Sequence, residues 1–410
     1  MRINAFVAKL VQDVRASYWF LPASLVCLAL LVSQASLFID RNPEWLPFEP
    51  PQAFRNTHVE GARSLLSIVA QSIFGVAGVL FSMTIAAVSF ASGNFGPRLI
   101  GNFMRDRGNQ WSLGILIMTF VFALMILRAI QGGGVSGADE VFVPHLSIFL
   151  ALILTLVSVF TVIYFVHHIP ETINVSNITA ALGRRLVGAI KKVIEAQGER
   201  SEEGGAVTWP RTEAEANVTL SKTGYIQALN TQDLRDLAEK NDLCIQVMRP
   251  IGSFVTHDTV VLRVWGKAAG DEAVRREIRT AFALGASPTE AQNLMFVVDQ
   301  LVEMIARAMS PGMNDPFTAI NCLNWLHAAA VTGANYEGGL LGETQGAVRL
   351  RRPEFRDILQ GGFGAAYPYV SSDALCLSHV TGIFVQMKEQ IEDSAHRDTL
   401  KEFLAQLDEG

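Results

Sequence analysis

The sequence predicts an integral membrane α-helical protein: four transmembrane helices followed by a cytoplasmic α+β domain with a small mixed sheet and a helical C-terminal part. Two observations carry this prediction. Half of the 410 residues are hydrophobic and only 18% are charged, which is more apolar than an ordinary soluble enzyme. Four uncharged runs also reach the roughly 20 residues that a helix needs to cross a bilayer. We therefore divide the chain into a transmembrane domain (1–170), an amphipathic helix with a linker (171–216) and a cytoplasmic domain (217–410).

The uncharged runs place the four transmembrane helices at about residues 18–39, 64–91, 111–131 and 144–167. The first run has some features of a signal peptide. It is long, has no convincing small-residue cleavage site and is followed by three further runs. We therefore expect it to remain in the protein as a helix.

The distribution of Lys and Arg predicts how these helices are oriented. Basic residues lie before the first helix, between the second and the third, and after the fourth, whereas the loop between the third and the fourth has none. Cytoplasmic loops of membrane proteins carry the excess of Lys and Arg. Both the N-terminus and the C-terminal domain are therefore expected in the cytoplasm.

The two halves of the chain differ in charge. Residues 1–170 contain ten Lys and Arg and eight Asp and Glu, whereas residues 171–410 contain 23 and 31, a net charge of −8. Nucleic-acid binding needs a basic surface for the phosphates, and no such surface is evident in the acidic half. Nucleic acid is therefore not an expected partner.

No pattern in the sequence is typical of a metal or cofactor site. The four cysteines are far apart and match neither a disulfide framework nor a paired-cysteine metal motif, so we expect free thiols. His167 and His168 follow the fourth predicted helix, and adjacent residues do not share a helix face. We interpret them as residues of the membrane interface, with metal binding or pH sensing as the alternative. No cofactor is expected.

The second predicted helix carries the most informative pattern. No residue from 64 to 97 is charged, and small or polar residues recur there at steps of three and four, which form one continuous stripe on a helix. In a bilayer such a stripe faces either another helix, where small residues allow close packing, or a water-filled path. Both alternatives stay open. The candidate residues of this path or packing stripe are Gln71, Gly75, Gly78, Ser82 and Ser89.

A short basic segment follows the stripe. Glycines up to residue 96 predict a break, after which Pro97 suits the first turn of an amphipathic helix that carries Arg98, Arg105 and Arg107 opposite its apolar side. One interpretation is a surface anchor for anionic lipid head groups. The other is a coupling helix that joins the striped helix to the cytoplasmic domain.

The densest polar cluster of the cytoplasmic domain surrounds the motif SPGMNDPFTAI. Asp299, Glu303 and Arg307 are four residues apart and share one helix face, with acid before base as in favourable pairs. Asn314 lies in the turn, and Asp315 before a proline is typical of a helix N-cap. This candidate cytoplasmic corner is either a tight structural turn between two helices or a ligand or gating site.

The remainder of the cytoplasmic domain shows two patterns. Residues 217–265 alternate short apolar runs with turns and predict a β-α-β-β module with a small mixed sheet. From residue 271 onward the spacing of apolar residues is helical, with a break near residue 396.

Several segments resemble those of a known bacterial family. ASGNFGPRLIGNFMRDRGNQ and SPGMNDPFTAI, taken with GARSLLSIVAQS and SKTGYIQALN, are similar to a family of predicted membrane proteins of unknown function, domain of unknown function 2254. The resemblance covers nearly the whole chain. It implies four transmembrane helices and a cytoplasmic domain in the bacterial inner membrane, and it implies no activity and no catalytic residues.

Three classes of function remain. No HExxH, GxSxG, Walker A or strand-linked GxGxxG motif is present, so we do not expect an enzyme, and a membrane hydrolase has the least support. We favour an oligomeric channel or transporter with a cytoplasmic regulatory domain, because one stripe cannot enclose water alone. The alternative is a membrane-anchored sensor or scaffold without transport activity. The expected partners are the lipid bilayer, anionic lipid head groups and further copies of the chain.

Overall fold

The computed structural model divides the chain into two compact units. The residues that it describes are 17–42, 44, 58–104, 106–131, 142–201, 209–340 and 346–409. Val11–Gly93 and Pro97–Asn174 form the first unit, which we call the membrane unit. Asn94–Gly96 and Val175–Gly410 belong to the second, which we call the C-terminal unit.

Four long apolar helices dominate the membrane unit. In chain order its helices are α1 (Phe20–Arg41), α2 (Val59–Phe95), the short α3 (Ile100–Met104) after a 3₁₀ turn (Pro97–Leu99), α4 (Arg107–Ala129) and α5 (His145–Thr172). The helices α1, α2, α4 and α5 are each long and apolar enough to cross a bilayer. The predicted fold class, four transmembrane helices followed by an α+β part, is confirmed.

The helix α2 is longer than a bilayer crossing requires. At about 1.5 Å per residue its 37 residues span about 55 Å, against a hydrocarbon core of about 30 Å. The helix therefore continues beyond the core at one end or both. It ends before Gly96, whose φ of +122° suits glycine and is costly for other residues. Its last two residues belong to the C-terminal unit.

The four long helices share one apolar core. Leu66 of α2 is fully buried there with Phe122 of α4, and Phe165 of α5 is almost fully buried. A hydroxyl pair joins α4 to α5, since Thr119 Oγ1 and Ser158 Oγ lie 2.9 Å apart. Lipid tails are as apolar as these side chains, so close packing and such hydrogen bonds, rather than the hydrophobic effect, hold the helices together.

The C-terminal unit contains a long amphipathic helix, an α+β part and a helical part. The first two consist of α6 (Val175–Ser201), β1 (Ala216–Thr219), β2 (Gly224–Leu229), α7 (Thr231–Lys240), β3 (Cys244–Val247), β4 (Phe254–Val255), β5 (Val260–Trp265), α8 (Glu272–Thr280) and β6 (Phe282–Gly285). The helical part consists of α9 (Leu294–Ala308), α10 (Pro316–Asn335), the strand β7 (Val348–Leu350), α11 (Phe355–Ile358), α12 (Ala365–Val370), α13 (Ala374–Gln390) and α14 (Ser394–Glu409).

The strands form two small sheets. One has the order β1-β5-β3-β7 and the other the order β4-β2-β6. The strands β1, β5 and β3 are antiparallel, whereas β7 runs parallel to β3. Ile226, Leu234 and Val264 are fully buried in the core between the strands and the helices α7 and α8. Burial of each such side chain contributes about 1.5–3 kcal/mol, so this core is the main source of stability of the α+β part.

Two strands interrupt the region after residue 271, which the sequence predicts to be helical. In β6, Leu284 lies opposite Ile226 of β2, and in β7, Val348 lies opposite Ile245 of β3. Each strand has only three or four residues, and its partner is distant in the sequence. The expectation of a purely helical region is wrong because tertiary pairing, which local spacing does not reveal, decides the structure of such short segments.

Candidate functional site

The stripe of α2 lies on the surface of the membrane unit. Gln71, Gly75, Gly78, Ser82 and Ser89 are all exposed. A Cβ atom built on Gly75 or on Gly78 would meet no atom within 4 Å. The stripe is therefore not packed against the described helices of its own chain.

The opposite side of α2 makes the contacts with its own chain. Ile73 and Leu80 are buried in the core of the membrane unit. Two residues of an α-helix turn through about 200°, so Gly75 and Ser82 point away from Ile73 and Leu80. The helix thus has an apolar side that packs against its own chain and a polar side that no described residue covers.

Large apolar side chains border the stripe on both sides. Phe74 and Phe81 are exposed along one border, and Ile68 and Val79 along the other. Such side chains suit contact with lipid, whereas the small and polar residues between them gain nothing from it. The helix therefore presents a narrow polar track within a surface of the kind that faces lipid.

Two polar side chains of the stripe, Gln71 and Ser82, have hydrogen-bond acceptors within α2. Gln71 Nε2 donates to Ser67 Oγ at 3.3 Å, and Ser82 Oγ donates to the carbonyl oxygen of Gly78 at 2.9 Å. Such local bonds lower the cost of placing these groups away from water. The stripe is therefore compatible with a dry contact between helices as well as with a wet path.

The last turn of α2 leads to the candidate corner within the C-terminal unit. Gly96 is buried, and a Cβ atom on it would lie 2.7 Å from Glu303 Oε1. The same carboxylate oxygen lies 3.6 Å from Arg307 Nε. Glycine suits this position, because the φ of +122° strains other residues and a side chain would have to displace the Glu303 carboxylate. The end of α2 thus lies beside two of the predicted corner residues, Glu303 and Arg307.

The rest of the corner is a capped turn between α9 and α10. Asp315 Oδ1 accepts a hydrogen bond from the backbone N–H of Thr318 at 3.1 Å, and Asp315 Oδ2 accepts one from Thr318 Oγ1. The backbone N–H of Asp315 donates to the carbonyl oxygen of Ala308 at 2.8 Å. Asn314 has a φ of +44°, a conformation that asparagine tolerates. The predicted N-cap at Asp315 is confirmed, and Asp299 lies exposed on α9.

The basic segment is shorter than the sequence predicts. Arg98 is exposed in the 3₁₀ turn, Arg107 is exposed as the first residue of α4, and Arg105 lies outside the described residues. The helix α4 begins early because Asp106 caps it, with Asp106 Oδ1 accepting from the backbone N–H of Asn109 at 2.8 Å. Arg107 therefore belongs to the long apolar helix and not to a separate surface helix.

Asp106 also makes a contact that the sequence did not predict. His168 Nε2 of α5 lies 2.8 Å from Asp106 Oδ1, and the two side chains are only 18% and 25% exposed. The ring of Tyr164 stacks on His168 with ring centroids 5.1 Å apart. His167 points elsewhere and lies 3.3 Å from Glu171, as adjacent helix positions require. The available signal was the aspartate itself, a good N-cap residue five positions before the apolar run that begins at Trp111.

A second carboxylate joins α1 to the other end of α5. Asp40 accepts hydrogen bonds from the backbone N–H groups of Leu146 at 2.9 Å and Ser147 at 3.0 Å, and from Ser147 Oγ at 2.6 Å. The residue before α5 is Pro144, which supplies no side-chain cap. A negative charge at a helix N-terminus is favourable, so Asp40 replaces the missing cap. No local signal predicts this contact between distant segments.

The thiols of the C-terminal unit are poorly suited to chemistry. All four cysteines are free. Burial raises the pKa of Cys322, and burial together with the Asp373 carboxylate raises the pKa of Cys376 to about 11. These thiols stay protonated near neutral pH and are weak nucleophiles. Among the residues that the structure describes, no group of three or more His, Cys, Asp and Glu side chains is arranged to hold a metal ion.

Comparison with known proteins places this architecture in a family. A family model described as predicted membrane protein (DUF2254) matches residues 15–385. The uncharacterized proteins Mb1321c of Mycobacterium bovis and Rv1290c of Mycobacterium tuberculosis are each 28% identical over 273 residues, which cover 65% of this chain and 51% of each relative. The chain thus spans about half the length of the curated relatives it matches. No solved structure matches it. Since the family model covers most of the sequence, the chain belongs to the DUF2254 family of predicted membrane proteins.

Proposed function

We propose that this protein is an oligomeric channel or transporter of the bacterial inner membrane, with a cytoplasmic regulatory domain. The stripe of α2 is the basis of the proposal, because it is uncharged, small or polar, and turned away from the described helices of its own chain. Copies arranged around a symmetry axis would turn their stripes toward one another. The shared path would then be lined by Gly75, Gly78 and Ser82 and closed to lipid by the bordering apolar side chains.

The continuity of the chain supports a regulatory role for the C-terminal unit. The helix α2 runs from the membrane unit into the C-terminal unit without interruption, and Gly96 at its end lies against Glu303 of α9. A displacement of α9 would therefore act directly on the end of the helix that carries the stripe. Arg98 lies two residues after Gly96, and with Arg107 it would hold this end of the membrane unit at anionic lipid head groups.

An oligomeric sensor or scaffold without transport activity is the second candidate. The hydrogen bonds of Gln71 and Ser82 favour it, since both side chains already have acceptors within α2. The stripe would then be a dry seam between copies, of the kind in which small residues bring helices close together.

Reconstitution separates the two candidates. We expect the purified full-length chain to be a symmetric oligomer by native mass spectrometry, and its proteoliposomes to pass K⁺ or Cl⁻ down an imposed gradient. Gly75→Leu and Gly78→Leu should lower that flux because each adds bulk to the path. Val79→Leu, on the apolar border, is the matched control and should leave the flux unchanged.

The remaining outcomes favour or refute specific candidates. An oligomer without flux that Gly75→Leu dissociates would favour the scaffold. A monomer with tight liposomes would refute both candidates, because each needs copies of the chain to cover the stripe.

A further inference from the structure

The outer side of the four-stranded sheet carries a basic cavity that the proposed path does not use. The cavity has a volume of about 250 Å³ and is lined by Asn217, Met248, Arg249, Val260 and Arg263. None of these five residues has a carboxylate, although acids outnumber bases in residues 171–410. Two positive charges thus meet at one small cavity of an acidic domain.

The register of the strands places polar residues in one row beside this cavity. Asn217 of β1 lies directly opposite Arg263 of β5, and Gln246 of β3 lies opposite Arg263 on the other side. Directly opposed residues of antiparallel strands have Cβ atoms about 4.5–5.5 Å apart. The alternate residues Val218 and Val264 are buried in the core, so the row faces outward.

Arg249 borders the same cavity from the end of β3. The backbone N–H of Met248 donates to the carbonyl oxygen of Val261 at 2.9 Å and so extends the pairing beyond β3 by one residue. Arg249 follows, and Pro250 after it restricts the backbone of Arg249 to extended conformations. One arginine therefore comes from within a strand and the other from a constrained strand end.

Neither guanidinium group is neutralised within the described part of the chain, where the side chains of Arg249 and Arg263 make no hydrogen bond, ion pair or ring contact. By contrast, Arg349 of the same sheet lies over the ring of Trp209, 4.0 Å from its centroid. Asp258 is close in the sequence, but its carboxylate lies 3.0 Å from the neighbouring histidine. The two cavity arginines are thus available to an anion from outside.

We propose that Arg249 and Arg263 bind a small ligand that carries a phosphoryl group, with Asn217 as a further donor and Met248 and Val260 as the apolar wall. Guanidinium groups present paired N–H donors that match phosphate oxygens, and they stay charged at every physiological pH. The cavity is smaller than the roughly 300–1,000 Å³ of drug-sized sites. It therefore accepts a phosphoryl group with a small neighbour, or one end of a larger molecule.

The inference goes beyond the proposed function, because binding at this sheet is measurable whether or not the membrane unit transports a solute. The test is a calorimetric titration of the full-length protein in detergent with inorganic pyrophosphate, at an ionic strength held constant with KCl. We expect saturable binding that Arg249→Gln and Arg263→Gln each weaken at least about tenfold. Arg276→Gln, which removes an exposed arginine of α8, is the matched control and should bind like the wild type.

One further variant and one change of condition sharpen the result. Circular dichroism shows whether each variant is folded, and Arg263→Lys, which keeps the charge without the planar fork, should recover part of the affinity. The same titration in zwitterionic nanodiscs and in nanodiscs with phosphatidylglycerol identifies the source of the phosphoryl group. Weaker binding in the anionic discs indicates lipid head groups as occupants, and equal binding indicates a soluble compound; both support the site. Absence of saturable binding, or equal binding by the wild type and both Gln variants, would overturn it.

Discussion

His168 Nε2 lies 2.8 Å from Asp106 Oδ1, so one carboxylate both caps α4 and holds the last turns of α5. At the other end of α5, Asp40 of α1 supplies the N-cap. Both ends of α5 are thus fixed by carboxylates from other helices. In the membrane unit, side-chain contacts therefore join α5 to α1 and to the start of α4, whereas the polar side of α2 is exposed.

Asp106→Ala should destabilise the membrane unit more than His168→Ala does. The first change removes an N-cap, worth about 0.5–2 kcal/mol, and leaves a mostly buried imidazole without its partner. The second removes only the contact between the helices. We therefore expect the midpoint of thermal unfolding to be lower for Asp106→Ala than for His168→Ala. Tryptophan fluorescence of the full-length protein in detergent measures it.

His167→Ala is the control for this pair of variants. Its ring is exposed and its pair with Glu171 lies at the surface, so the midpoint should stay unchanged. An equal or larger loss in His168→Ala than in Asp106→Ala would contradict the capping role of Asp106.

Gly96→Ala should destabilise the C-terminal unit through two effects. Backbone strain at a φ of +122° costs about 1–3 kcal/mol, and the new Cβ atom collides with Glu303 Oε1. The ion pair between Glu303 and Arg307 is partly exposed, so its loss in Glu303→Ala should by itself cost only about 0.3–0.5 kcal/mol. In the double variant the collision is gone. Its free energy of unfolding, measured with urea, should therefore fall by less than the sum of the decreases in the two single variants. A coupling below about 0.5 kcal/mol would contradict the contact between Gly96 and Glu303.

Asp315→Ala should lower the stability of the C-terminal unit by about 1 kcal/mol, because the first turn of α10 loses its cap. Asp315→Asn keeps an oxygen acceptor and is the matched control, with little expected change. Urea unfolding measures both variants. Should Asp315→Ala keep its stability and yet alter flux in proteoliposomes, the corner would be a gating site rather than a structural turn.

Alkylation of Cys376 should be slow at neutral pH and should accelerate with pH. Burial and Asp373 raise its pKa to about 11, so the unreactive thiol dominates at pH 7.5 and the thiolate fraction grows about tenfold per pH unit below that pKa. Cys322 and Cys376 are both fully buried, and the pKa of Cys322 is raised further by burial, so Cys322 should react more slowly still. Peptide mass spectrometry after iodoacetamide treatment measures each site. Cys244, which is half-buried, is the internal comparison, and modification of Cys376 as fast as that of Cys244 would contradict this prediction.

Local patterns predict the parts of this protein that depend on neighbours in the chain. The apolar length of each long helix is local, and so is the cap at Asp315, which precedes a proline. The contacts of Asp106 with His168 and of Asp40 with Leu146 join residues 62 and 106 positions apart. No spacing rule encodes such pairs, because they depend on how the helices pack.

The stripe of α2 shows the same limit at the candidate site. Its continuity follows from the steps of three and four between its residues, but the side of α2 that its own chain covers depends on the packing of Leu66, Ile73 and Leu80. From the sequence alone, packing of the stripe against another helix of the same chain therefore remained an alternative. The exposure of Gly75 and Gly78 removes a seam with the described helices of the chain and favours a contact between copies or a water-filled path.

Water access to the stripe tests the proposed path most directly, because it needs no knowledge of the solute. Ser82→Cys is introduced together with Cys27→Ser, since Cys27 is exposed on α1. Proteoliposomes are treated on both sides with a charged, membrane-impermeant methanethiosulfonate, and peptide mass spectrometry measures the modification. We predict that Ser82→Cys is modified and that Val79→Cys, on the apolar border one turn away, is not. An oligomer in which Ser82→Cys reacts no more than Val79→Cys would contradict the path and identify the stripe as a dry seam.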